Sequence, residues 1–187
     1  MTTTETTSAE EAPDSLAERV NNRSRRPSSD AFREFMGSQW GPRPDPGITR
    51  SAVADYLPAR ATAAGEPFVG ERLVIPAGTY KVRSNDCTYR FRAYSAFAHL
   101  SGLGQEREPD SVIVLDPLPE GGHEAVLYFK PRTSRSSQEF YSDSRYGEFW
   151  VGARPSLEEV TTETGLRCEH IDTLRDALAK DAGIVRL

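Results

Sequence analysis

Only three of the chain's 23 basic residues are lysine. An excess of arginine suits bidentate pairing with carboxylates or other anions, although a bias in the coding genome accounts for it more simply. Acidic residues number 28, for a net charge of −5 and a pI near 5.3. A general binder of nucleic acid or of an anionic membrane needs a strongly basic face, so neither is expected as a partner. No run of 18 apolar residues could span a bilayer. The Thr- and Glu-rich start lacks the basic and apolar regions of a secretory signal. Cys87 and Cys168 form no CxxC pair and read as reduced thiols, as expected of a soluble, cytoplasmic protein.

Catalytic signatures are equally scarce. His99, His123 and His170 are isolated from one another, and there is no HExxH motif. No GxSxG elbow surrounds a serine, and no GxGxxG or GxxxxGK[ST] loop points to a nucleotide. Cys87 precedes the basic and aromatic run Thr88–Arg92, which is the setting of an activated thiol, yet a buried structural cysteine is the simpler reading. Glu158 and Glu159 are consecutive, so they diverge around a helix instead of converging on one substrate. No catalytic residue, metal ligand or cofactor is assigned to this chain.

What is present begins with a polar tail. Residues 1–28 hold almost no large apolar side chains and cannot offset the entropy of ordering, so they are expected to be disordered, with one domain over 29–187. After a capping serine, Phe32, Phe35, Met36 and Trp40 follow helical spacing, and three prolines between Pro42 and Pro46 stop that helix. A second helix is expected over about 51–64, with Val53, Tyr56 and Leu57 on one side and a break or kink at Pro58. Residues 71–78 read as a buried strand ending in a turn. Residues 110–117 and 123–131 are short apolar runs bounded by turn residues, expected to pair antiparallel. A polar loop, 131–147, follows. Residues 155–165 read as a short helix closed by Gly165, and 172–183 as an amphipathic helix capped by Asp172 with Leu174 and Leu178 on its apolar side. Helices, strands, then helices imply a layered α/β domain.

Two stretches stand apart. Residues 80–103 mix Arg83, Arg90 and Arg92 with Tyr89, Phe91, Tyr94 and Phe97. Residues 148–156, "EFWVGARPS", set Trp150, one of two tryptophans, beside Gly152 and Arg154. Arg83, Ser84, Asp86, Tyr89, Phe91, Arg92, Ser95, Phe97, His99, Leu100, Ser101 and Gly102 together carry a pattern that resembles the N-terminal domain of aminopeptidase P, the Xaa-Pro aminopeptidase family. Residues 108–117 and 124–132 occupy the places of that family's next two strands. "EFWVGARPS" resembles its E-[IL]-W-x-G-x-R motif, and residues 157–166 resemble the short helix after it. The resemblance covers roughly 50–187. The loop from Lys130 to Gly147 is longer than in short members, and Ala153 stands where many relatives have a second arginine.

The resemblance implies a mixed β-sheet with helices on both faces, the ribonuclease-H-like, creatinase N-terminal-domain arrangement. It implies a non-catalytic part of a proline-specific metalloaminopeptidase whose chemistry sits in a C-terminal pita-bread domain with two manganese ions, held by two Asp, one His and two Glu. Those metal motifs are not in this sequence, which is therefore read as the N-terminal domain alone. Its implied partners are its own C-terminal catalytic domain, neighbouring subunits of a homo-oligomer, and short proline-containing peptides. Trp150, Gly152, Arg154, Arg83, Tyr89 and Arg92 are the implied entrance or interface residues. A stand-alone peptide- or protein-binding module of the same family is the alternative. A small enzyme using Cys87 or a histidine is a third reading.

Overall fold

Pairing of the two apolar runs, residues 110–117 and 123–131, sets the centre of the molecule, a computed structural model that describes residues 29–85, 87–180 and 183–187. The expectation of a disordered tail over 1–28 falls outside these residues. The strands, in chain order, are β1 (Arg72–Pro76), β2 (Val82–Ser84), β3 (Cys87–Thr88), β4 (Val112–Pro117), β5 (His123–Phe129), β6 (Arg167–His170) and β7 (Val185–Arg186). The helices are α1 (Asp30–Gly37), α2 (Leu57–Gly65), α3 (Ser95–Ser101), α4 (Gln138–Ser142), α5 (Glu148–Val151), α6 (Leu157–Thr164) and α7 (Leu174–Ala179).

Five strands form one mixed sheet in the order β6-β5-β4-β1-β7. β4 runs antiparallel to both β1 and β5, whereas β6 is parallel to β5 and β7 is parallel to β1. The pleat sends alternate side chains to opposite faces. Leu73, Ile113, Leu115, Leu127 and Phe129 are buried on one face in a core with Leu57 of α2, Phe97 and Leu100 of α3, and Val160 of α6. Val114, Val126 and Tyr128 are buried on the other, where Leu174, Ala177 and Leu178 of α7 pack. Helices thus cover both faces, as the resemblance implied.

Some local expectations are corrected. Pro58 does not break its helix. It stands in the first turn of α2, where a missing N–H costs nothing, and a short 3-10 turn, Ala54–Tyr56, leads in. Asp172 does not cap α7. It lies in a 3-10 turn, Ile171–Thr173, and its own N–H donates to His170 Nδ1 at 3.2 Å. The polar stretch 131–147 is not all loop: Ser137 accepts from the Phe140 N–H and opens α4, which buries Phe140 and Tyr141. β6, Arg-Cys-Glu-His, has no apolar alternation; pairing with β5 makes it a strand.

Candidate functional site

The site grows from a close approach at Gly147. A Cβ at this position would lie 2.5–2.6 Å from the carbonyl oxygens of Asp143, Glu139 and Phe140, so only glycine lets α5 start against the end of α4. The Gly147 N–H donates to Asp143 O at 2.8 Å, and Trp150 N–H donates to Gly147 O at 2.9 Å, closing a single helical turn. Gly152 ends that turn at φ 84, ψ −172, a region essentially reserved for glycine. Open space surrounds its missing Cβ on this chain, so Gly152 is required by its backbone conformation and not by crowding from this chain.

Between the two glycines Trp150 is 60% exposed. It does not swing freely, because its Nε1 donates to Tyr141 O at 2.6 Å. Phe149, 51% exposed, meets Trp150 edge-on at 5.8 Å between ring centres. Trp40, just beyond α1, packs edge-on against Phe140 at 4.9 Å and Phe149 at 6.3 Å. α1 is held nearby by Phe32 against Tyr141 at 6.0 Å. The result is a shelf of exposed aromatic rings on short, hydrogen-bonded supports.

Glu148 and Val151 of α5 also line a cleft of about 510 Å³. Arg154 forms part of its wall, yet the side chain is only 10% exposed. Its guanidinium donates to Lys130 O at 2.5 Å and lies 5.1 Å from the centre of the Tyr146 ring. It also approaches Glu108, whose side chain is 7% exposed, at 3.4 Å. Burial pushes the Glu108 carboxyl above the usual range, and attraction to Arg154 and Arg107 only partly offsets this. Two more pairs brace the wall: Arg132 with Glu159 at 2.5 Å, and Arg107 with Glu163 at 2.7 Å. Arg145 holds Asp110 at 2.5 Å, and the Tyr146 hydroxyl donates to the same carboxylate. Burial first, then this hydrogen bond to Asp110, pushes the Tyr146 phenol up to about 12.

Glu108 makes a pH-dependent contribution with a definite sign. A carboxyl whose folded pKa is raised stabilises fully below the ordinary carboxylate pKa, and that contribution is lost as pH rises through the folded value. The melting temperature of Glu108→Gln, minus that of the parent chain, should therefore increase as pH is raised from the ordinary carboxylate range. A difference that stays flat or falls in a series of melts contradicts the assignment.

The structure divides the residues singled out by sequence. Trp150, Gly152 and Arg154 belong to one continuous unit. Arg83, on β2, and Tyr89 and Arg92, beyond β3, are exposed on a separate ribbon, where Arg92 donates to Gln105 Oε1 at 2.7 Å. Among the described residues no hydrogen bond, ion pair or ring contact joins the two groups. The rest of the 80–103 motif is largely core: Phe91, Ala93, Phe97, Leu100 and Ser101 are buried, and Gly102 closes α3 at φ 69. Sequence reasoning missed Gly147, Glu108 and Arg43, and gave Glu148 no role beyond its place in the motif. Glu148 and Gly147 lie two and three positions before the flagged tryptophan, whereas Glu108 and Arg43 carry no local signal. Among the described residues no group of three or more His, Cys, Asp or Glu side chains is placed to hold a metal ion. No described helix is long and apolar enough to cross a membrane.

Comparison with known proteins gives this geometry a setting. Residues 59–184 match the family model described as aminopeptidase P, N-terminal domain. The chain is 40% identical over 145 residues to Xaa-Pro aminopeptidase 2 of Streptomyces coelicolor, covering 78% of this chain and 30% of that protein. It is also 40% identical over 159 residues to Xaa-Pro aminopeptidase 1 of the same organism, covering 85% and 31%. The chain thus spans about 30% of the length of these relatives. Among solved structures, Escherichia coli aminopeptidase P in its low-pH form aligns with a TM-score of 0.53 at 23% identity, over 67% of this chain and 26% of that one. Proline aminopeptidase P II from Yersinia pestis aligns with a TM-score of 0.53 at 24% identity, over the same shares of 67% and 26%. At such identities the structural likeness speaks for the fold alone.

Proposed function

The chain belongs to the aminopeptidase P N-terminal domain family, and we propose that it is the non-catalytic N-terminal domain of a proline-specific metalloaminopeptidase. The parent, on this reading, is a cytoplasmic homo-oligomer that removes the N-terminal residue from Xaa-Pro peptides. A C-terminal domain carrying two manganese ions supplies the chemistry. The described residues of this chain offer no such metal site, so no catalytic step is assigned to them.

The domain's own work is to build an interface and to wall the entrance to the catalytic cleft. The observation that carries this is Trp150: an exposed indole fixed by a hydrogen bond and framed by two glycines that the backbone requires. A mobile exposed tryptophan loses side-chain entropy when it binds, whereas one already fixed loses little. A rigid aromatic at a narrow mouth also favours short or unstructured peptide ends over folded chains. Arg83, Tyr89 and Arg92 present side chains outward and suit contacts with a neighbouring domain or subunit. Gly152 and Arg154 act from within, by holding the turn that displays Trp150.

The purified chain, incubated with an Xaa-Pro dipeptide with and without manganese, should release no free amino acid. Metal-dependent release by this chain alone would overturn the proposal.

A further inference from the structure

We propose that Arg43, on a segment preceding the family-matched region, is the positioning residue that sets the orientation of the Trp150 helix. The inference rests on the reading of Trp150 as a contact residue, but its test needs no partner. α5 has four residues, too few to be stable by itself, so its direction is decided by whatever grips its ends. Its first residue, Glu148, is the grip. One carboxylate oxygen, Oε2, takes a two-pronged contact from Arg43, with the Nε at 3.1 Å and Nη2 also within hydrogen-bonding distance. The other, Oε1, accepts the Arg154 backbone N–H at 3.1 Å, from the chain that has just left α5.

Arg43 in turn donates through Nη2 to Thr133 O at 2.7 Å, so three separate segments meet at one guanidinium. The pair is shielded, with side-chain exposures of 27% for Arg43 and 9% for Glu148. Pro44 and Pro46 restrict the backbone just after Arg43 and limit the freedom lost on docking. Trp40, three residues earlier, adds its edge contacts to Phe140 and Phe149. Residues 40–46 therefore form a strap over the base of the aromatic shelf. A lysine at 43 would supply charge without the fork, so it should not restore the geometry.

The test is made in a Trp40→Phe background, where Trp150 is the only tryptophan. Arg43→Gln and Glu148→Gln should each raise the acrylamide quenching constant of Trp150 about twofold and weaken its near-UV circular dichroism at temperatures well below unfolding, where the far-UV spectrum stays that of the parent. Each leaves a shielded partner unpaired, so the melting temperature falls as well. Arg43→Lys should behave like Arg43→Gln. Quenching unchanged in both glutamine variants would overturn the proposal, as would quenching that rises only at temperatures where the far-UV signal is also being lost. If Trp150 loosens as expected but Trp150→Ala in the intact parent enzyme leaves peptide turnover unchanged, the positioning role stands and the functional reading of Trp150 falls.

Discussion

Replacing Arg154 with alanine should destabilise the domain by about 3 kcal/mol, roughly 9 °C in melting temperature for a chain of this size. The cause is what the guanidinium leaves behind. Lys130 O loses a donor at 2.5 Å, the Tyr146 ring loses one of its three neighbouring cations, and Glu108 is left inside the wall without its main counter-charge. Breaking one side of a buried pair costs more than the pair contributes when intact, because the remaining charge stays out of water. Burial already holds the Glu108 carboxyl above its usual range, and losing the attraction of Arg154 pushes it higher. Combining Arg154→Met with Glu108→Gln should recover part of the loss, since neither partner is then a stranded charge. Urea or thermal melts check both results. A loss no larger than that of exposed Arg83→Ala would show that the cleft wall does not depend on the pair.

Trp150→Ala should have the opposite profile. Its stability cost is limited to the hydrogen bond to Tyr141 O and the edge contact with Phe149, about 1 kcal/mol in all. If the chain is the N-terminal part of such an enzyme, as proposed, the loss of a fixed aromatic contact there should cost about 2 kcal/mol, or roughly thirtyfold in kcat/KM. Turnover of an Xaa-Pro peptide should thus fall far more than the melting temperature does. Equal proportional losses of stability and turnover would mean that Trp150 is ordinary packing.

The sheet was legible because its central strands announce themselves. β4 and β5 are apolar runs between turn residues, and their burial on both faces leaves few alternatives. The edge strands were not: β6 is Arg-Cys-Glu-His and β7 is two residues long, and neither has a pattern of its own. α6 could be placed from Pro155 near its start, Glu158 and Glu159 in its first turn and Gly165 at its end, to which the structure adds a capping box between Ser156 and Glu159. α4 was hidden, because five helical residues inside a polar loop give too short a periodicity to detect.

The candidate site was half readable for a related reason. Trp150 and Gly152 drew notice by residue type alone. Arg43 lies 105 positions before its partner Glu148, and Glu108 lies 46 before Arg154, so no local spacing betrays either contact. Gly147 looked like any loop glycine until three carbonyl oxygens were found where its side chain would have been. Arg83, Tyr89 and Arg92 share a motif with buried Phe91 and Phe97, and sequence could not separate the exposed members from the core ones.

The central claim is that residues 29–187 form a supporting domain that presents Trp150 to chemistry housed elsewhere. Its most direct test is the rate of Xaa-Pro peptide hydrolysis by a graft in which these residues replace the matched N-terminal part of Streptomyces coelicolor Xaa-Pro aminopeptidase 2. The account predicts that the graft turns over the peptide and that Trp150→Ala within it removes most of that rate. A folded, metal-loaded graft without activity, or one indifferent to Trp150, would contradict it.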